Sequence, residues 1–174
     1  MDLILRALEP DDVDALYRWE NEADVTESGL YRAPMSRELL MDYARNYNPD
    51  VFAAGQLRLI IEDRATGDRV GAIDLYEVDS INRRAGVGII IDRKYRGNGL
   101  GKVGLMNFIT HCYKHFGLHQ LWAVVTIKNK ISARLFESVG FKITGRLRSW
   151  VRIGESYDDA MFYQLILTRD IIQK

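Results

Sequence analysis

The chain has 174 residues, 47% of them apolar and 28% charged, the composition of a globule large enough to bury a core as one domain over residues 1–174. Its 24 basic and 24 acidic side chains cancel, which argues against a general nucleic-acid surface, and no run of about 18 uncharged apolar residues predicts a membrane span. Cys112 is the single cysteine, so no internal disulfide can form; together with a start that lacks a basic leader, this leads us to expect a cytoplasmic protein.

The neutral total hides a division. Residues 1–80 carry 18 Asp/Glu against 8 Lys/Arg, and residues 81–174 carry 6 against 16. Eight of the acids fall between Glu9 and Glu27, with Arg18 as the only base among them. Such a cluster reads either as a solvated helix face or as half of a two-sided field, in which the second half draws a polyanion and the first a cation.

Residues 3–8 read as a strand, and 11–21 as a helix opened by Pro10 and by acids in its first turn. Residues 23–34 are polar and read as irregular. Ser36 is placed to cap a helix through residue 47. Residues 56–62 and 69–78 form a predicted hairpin, and 83–91 a third strand in which Gly86 and Gly88 suggest a bulge or a close backbone approach. Leu105, Phe108, Ile109, Cys112 and Phe116 lie on one face of a helix ended by Gly117. Residues 121–127 read as a buried strand. Asn129 and Gly140 bracket the next helix, and 141–152 and 157–167 are the last two strands, joined around Gly154. The order β α α β β β α β α β β predicts an α/β (α+β) fold, a mixed sheet of about seven strands flanked by about four helices.

The segment Arg93-Lys94-Tyr95-Arg96-Gly97-Asn98-Gly99-Leu100-Gly101-Lys102 links the third strand to the long helix. Glycines at alternate positions let the backbone turn tightly with its N–H groups inward, and the helix adds its own unpaired first-turn amides. Four basic side chains surround that concavity, so the loop suits phosphate. Gly99-Leu100-Gly101-Lys102-Val103-Gly104 matches G-x-G-x-x-G. However, a strand does not end at Gly99, and no acid follows at the ribose position. A Walker A loop fails because Val103 follows Lys102. A plain glycine-rich turn that starts a helix is the alternative.

Arg96-x-x-Gly99-x-Gly101 resembles the pyrophosphate loop of the GNAT superfamily of N-acetyltransferases. Asn129-x-x-Ser132-x-x-Leu135-Phe136-x-x-x-Gly140-Phe141 is similar to that superfamily's second signature, about 30 residues later. Residues 71–141 most resemble spermidine N-acetyltransferases, and 152–167 ribosomal-protein N-terminal acetyltransferases. The resemblance implies a mostly antiparallel sheet and acetyl-CoA as co-substrate. Its acceptor would be an amine: a small amine, a polyamine or a protein N-terminus. Assembly into a homo-oligomer is compatible with it.

By the same resemblance, Ile89, Ile90 and Ile91 would pair through their backbone with the pantetheine arm. Arg96, Gly97, Asn98, Gly99, Leu100, Gly101 and Lys102 would hold the pyrophosphate. Asn129, Ser132 and Phe136 would border the pantetheine and thiol end, with Asn129 also readable as a helix cap. Glu77 matches an acidic position of the spermidine enzymes and is the first candidate for the base, with Asp74 behind it. Regular alternation would put the two on opposite faces.

The chain also departs from the resemblance. Relatives tend to carry acids where Tyr31, Arg32 and Gly86 stand. Many carry a tyrosine, taken as the acid for the leaving thiolate, where Phe136 stands, and phenylalanine has no proton to give. That motivates an alternative function, an acyl-CoA-binding or sensing module with little turnover. His111 and His115 stand at i and i+4 but lack an obvious third ligand, so no metal is expected. Cys112 lies on an apolar helical stripe, where a thiol is usually inert.

Overall fold

The computed structural model describes residues 1–22 and 33–172. Seven strands form a single sheet in the order β1-β2-β3-β4-β5-β7-β6. They are β1 (Leu3–Ala7), β2 (Leu57–Asp63), β3 (Asp68–Asp79), β4 (Arg84–Ile91), β5 (Gln120–Thr126), β6 (Lys142–Ile153) and β7 (Ser156–Ile166). Every neighbouring pair is antiparallel except β4 and β5. That exception follows from the chain path, because the connection between β4 and β5 contains a long helix.

The α-helices among the described residues are α1 (Val13–Glu20), α2 (Arg37–Arg45), α3 (Val51–Ala54), α4 (Leu100–Phe116), α5 (Lys130–Ser138) and α6 (Arg169–Ile172). Two of these, the single turns α3 and α6, are absent from the expected order, since four residues show no helical period. Asp50 nevertheless caps α3, its Oδ1 accepting from the amides of Phe52 and Ala53 at 3.1 Å. Ser36 caps α2 as expected, its Oγ accepting from Leu39 N at 3.1 Å. The first helix departs from expectation. Residues Pro10–Asp12 form a 3-10 turn and α1 begins only at Val13. Asp12 is turned inward there instead of lying on a solvated helical turn.

The sheet separates two apolar layers. Leu105, Phe108, Ile109 and Cys112 of α4 and Phe136 of α5 pack with Ile61, Ile73, Leu75, Val87, Leu121, Ala123, Tyr163 and Leu165. On the other side Leu16 and Trp19 of α1 and Leu40 of α2 cover Ile60 and Ala72. The alternation of Ile60 with Ile61, and of Ala72 with Ile73, is the period-2 pattern of a sheet buried on both faces.

Arginines pair with most of the described part of the acidic cluster. Asp12 is fully buried and accepts from Arg6 at 2.7 Å and Arg69 at 2.5 Å. Asp14 pairs with Arg37, Glu20 with Arg58 and Glu22 with Arg96. Four of the six acids from Glu9 to Glu22 are therefore engaged, which fits structural clamps better than an open negative field. Asp24 and Glu27, with the rest of residues 23–32, lie outside the described residues.

Burial alone would raise the Asp12 carboxyl. Hydrogen bonds from Arg6 and Arg69 and from the Glu9 amide outweigh it and hold the group below the ordinary range. A depressed carboxyl stabilises the fold above its unfolded pKa of about 3.9, and that contribution disappears as pH falls through the folded value. Urea unfolding should therefore find Asp12→Asn less stable than wild type at pH 7. Below about pH 4 its remaining stability should fall less steeply. Parallel pH profiles would show that Asp12 is not a main acid-sensitive group.

Candidate functional site

The parallel pair β4–β5 sets the site. It is matched only from Arg84 to Gly86 against Gln120 to Trp122. Beyond Gly86, β4 stays paired with β3, Gly88 to Ile91 facing Asp74 to Gly71, but has no strand on its β5 side. β5 turns to β7, with Ala123 to Thr126 facing Tyr163 to Ala160. Among the described residues, the two strands thus open into a cleft in which Ile89 to Ile91 have no strand partner on the β5 side, Ile91 O accepting from Arg96 instead. The isoleucine side chains are only half-buried: Ile89 and Ile91 pack toward the α4 layer and Ile90 toward α1.

The glycine-rich loop closes the bottom of this cleft. Asp92 N bonds Val70 O at 2.9 Å and Asp92 Oδ2 accepts from Trp19 Nε1 at 2.9 Å. Tyr95, nearly buried, donates its hydroxyl to Asp68 at 2.7 Å. The loop is therefore anchored to both β3 and α1. Gly97 and Gly99 have φ of +81° and +76°, values that strain any residue with a Cβ. Gly99 is the N-cap of α4 and offers no side-chain acceptor to the first-turn amides; those of Lys102 and Val103 bond Gly99 O, and an unpaired helix start of this kind suits an anion.

Gly101 differs from the other two glycines. It lies within α4, and a Cβ there would meet the Ile91 and Leu135 side chains at 3.4–3.5 Å, an ordinary contact. The expectation that all three glycines serve the backbone approach holds for two of them in conformation. Arg96 donates to Ile91 O at 2.8 Å and to Glu22 at 2.6 Å, which holds its guanidinium against the end of β4. Asn98, Leu100 and Lys102 complete the turn into α4, all at least partly exposed.

The second signature forms α5. Asn129 Oδ1 accepts from Ser132 N at 3.0 Å, so Asn129 is an N-cap. Leu135 faces Gly101 and thereby draws α5 against the start of α4. Phe136 is only 4% exposed, its ring packed on Phe141 at 5.1 Å and Tyr163 at 6.5 Å. It is a core residue in this arrangement.

The two candidate bases part company. Asp74 accepts a bidentate pair from Arg58 at 2.7 and 2.8 Å, and Arg58 also reaches Glu20 at 2.6 Å. Its carboxylate is tied into a mostly buried triad. Glu77 is exposed and makes no ion pair among the described residues. The bulge expected near Gly86 and Gly88 is on the other strand: β3 has an extra residue between Tyr76 and Asp79, and Glu77 takes φ +49°. Alternation between Asp74 and Glu77 therefore fails, because a bulge reorients the residue it displaces. The close approach predicted at Gly86 is real, but it comes from a side chain. The Tyr76 ring lies where a Cβ of residue 86 would be, 2.4 Å away.

Among the described residues no group of three His, Cys, Asp or Glu side chains could hold a metal ion. The His111 and His115 rings lie 4.6 Å apart, tilted by 38°. Cys112 is buried, and burial pushes its thiol up, away from the reactive thiolate. No helix among the described residues is long and apolar enough to cross a membrane.

Known proteins share this fold. The chain is 24% identical over 157 residues to a spermidine N(1)-acetyltransferase of Escherichia coli (strain K12), covering 90% of this chain and 82% of that one. It is 25% identical over 100 residues to a putative ribosomal N-acetyltransferase of Bacillus subtilis (strain 168), over 58% of this chain and 55% of the other. The fold superposes on the crystal structure of spermidine N-acetyltransferase from Vibrio cholerae in complex with CoA and spermine, with a TM-score of 0.84 at 24% identity, covering 99% and 98% of the two chains. The model of the acetyltransferase (GNAT) domain matches residues 2–142, which take in the anchored loop, the diverging strands and the helix beside them. The chain belongs to the GNAT family of acetyltransferases, which use acetyl-CoA as co-substrate.

Proposed function

We propose that the chain acetylates an amine by direct attack on acetyl-CoA in a ternary complex. The observation that carries this reading is the divergence of β4 from β5 directly above the uncapped start of α4. The pantetheine arm would pair with the backbone of Ile89 to Ile91, as an added strand does. Gly97 to Lys102, with Arg96, would hold the pyrophosphate, and Asn129 and Ser132 at the start of α5 would border the arm.

The amine nitrogen attacks the thioester carbonyl carbon. A C–N bond forms, the C–S bond breaks, the attacking nitrogen gives up one further proton to solvent, and the thiolate leaves and takes up a proton from solvent or a protein donor. An alkyl amine with a pKa near about 10.4 is protonated at pH 7, and removing that proton costs about 4.6 kcal/mol. Glu77 is our candidate to receive it, since Asp74 is bonded to Arg58. The oxyanion would be met by a β4 amide on the edge that has no strand partner.

A second reading, an acyl-CoA-binding module with little turnover, is favoured by Phe136, which offers no hydroxyl and is packed into the core. Release of free thiol from acetyl-CoA across a panel of polyamines, monoamines, amino sugars and peptide N-termini decides between the two. We expect amine-dependent release with at least one class. Tight acetyl-CoA binding with no release for any amine would leave the binding module standing.

A further inference from the structure

One face of the sheet carries three aromatic rings that belong to neither core layer. Tyr76 alternates with Asp74 and Ala72, so it faces the side of α1. Trp122 lies between Leu121 and Ala123, and Phe162 beside Tyr163, and those neighbours pack in the α4 layer. Trp122 and Phe162 therefore share the face of Tyr76. The three rings form a continuous wall: Tyr76 meets Trp122 edge-on at 5.0 Å, and Trp122 stacks on Phe162 at 5.4 Å with a 17° tilt. All three are half-buried.

Gly86 makes this wall possible. It stands between Tyr76 and Trp122 in register, and the Tyr76 ring crosses the space a side chain there would fill. The row from Tyr76 through Gly86 to Trp122 is also the last at which β4 and β5 are paired. The wall therefore stands at the mouth of the cleft, where an acceptor must approach the thioester.

Its charge environment is specific. Four other rings among the described residues, those of Tyr17, Tyr43, Phe52 and Tyr95, each carry an internal Arg or Lys. None does so on the wall. Among the described residues Glu77 is the exposed carboxylate beside it, whereas Asp74 is engaged by Arg58. Burial, with Glu77 and Asp74 adding to it, pushes the Tyr76 hydroxyl up to about 12, so the ring stays neutral near pH 7. A linear polycation would want several carboxylates. One carboxylate beside a broad aromatic surface suits one ammonium group on an apolar body.

We infer that Tyr76, Trp122 and Phe162 form the acceptor-selecting wall of this transferase, and that it takes a monoamine whose short carbon chain carries an aromatic ring. This rests on the acetyltransferase reading of the cleft. Stacking of the substrate ring on Trp122 would hold the amino group near Glu77 and the opening of the strands.

The test compares 2-phenylethylamine, butylamine and spermidine as acceptors for wild type and Trp122→Leu. Wild type should show kcat/KM for 2-phenylethylamine about tenfold above that for butylamine, roughly the worth of one aromatic contact with its buried area. Trp122→Leu should erase most of that advantage through KM, and butylamine should change less than about twofold. Equal losses for both amines would mean Trp122 is merely structural, and a tenfold preference for spermidine would overturn the wall as the selector. Calorimetric titration of 2-phenylethylamine into the protein saturated with CoA separates the two readings. Binding that Trp122→Leu weakens about tenfold, without thiol release, would remove the transferase reading and keep the wall. No binding in wild type would overturn the wall itself.

Discussion

Replacing Gly99 by valine should weaken acetyl-CoA binding by more than about tenfold while the sheet and helices remain folded. Gly99 has φ +76° and opens α4, and a β-branched residue held there costs on the order of 1–3 kcal/mol. Valine would relieve that strain by rotating out of the left-handed region, which turns the first amides of α4 away from the concavity. Gly101→Ala is the control. Its methyl would reach ordinary contact with Ile91 and Leu135, and alanine is the better helix former. Its affinity should therefore stay within about threefold of wild type. Calorimetry with acetyl-CoA, with circular dichroism to verify folding, makes the comparison. A folded Gly99→Val that binds normally would take the pyrophosphate away from this helix start.

Arg58→Met should be the most destabilising single change outside the apolar core, costing about 3–5 kcal/mol, the usual penalty for leaving buried carboxylates without their cation. Arg58 is 15% exposed at its side chain, Glu20 8% and Asp74 25%, and the triad joins α1, β2 and β3. Burial alone would lower the Arg58 pKa, and Asp74 and Glu20 outweigh it, so the guanidinium stays charged. The penalty comes from the orphaned charges and not from lost packing. Adding Glu20→Gln and Asp74→Asn to Arg58→Met should therefore recover a substantial part of the loss. Urea unfolding of wild type, single and triple variants measures this. A single-variant loss under about 1 kcal/mol would mark the triad as a solvated surface network.

Much of the architecture was legible in the chain. The apolar runs along residues 57–61 and 70–75 with the turn between them, and the helical stripe from Leu105 to Phe116, are local patterns, and each specifies its element before any contact is made. The caps Ser36 and Asn129 act within three residues, and the glycine-rich loop carries its own left-handed positions, so these too were local. The tertiary structure decided whatever depended on partners distant in sequence. Nothing near Asp74 in the chain announces Arg58 and Glu20, which reach it only when β2 pairs with β3 and α1 packs across them. The bulge was expected on the strand that has the glycines, yet it formed opposite them at Glu77, because a bulge is a property of a strand pair. The acid-rich start read as a solvated helix face or as half of a field, yet Asp12, Asp14, Glu20 and Glu22 form ion pairs, with arginines up to 74 residues away. The aromatic wall is assembled from β3, β5 and β7 across a glycine of β4. Side chains about 40 residues apart meet there only because sheet register, a global property, aligns them.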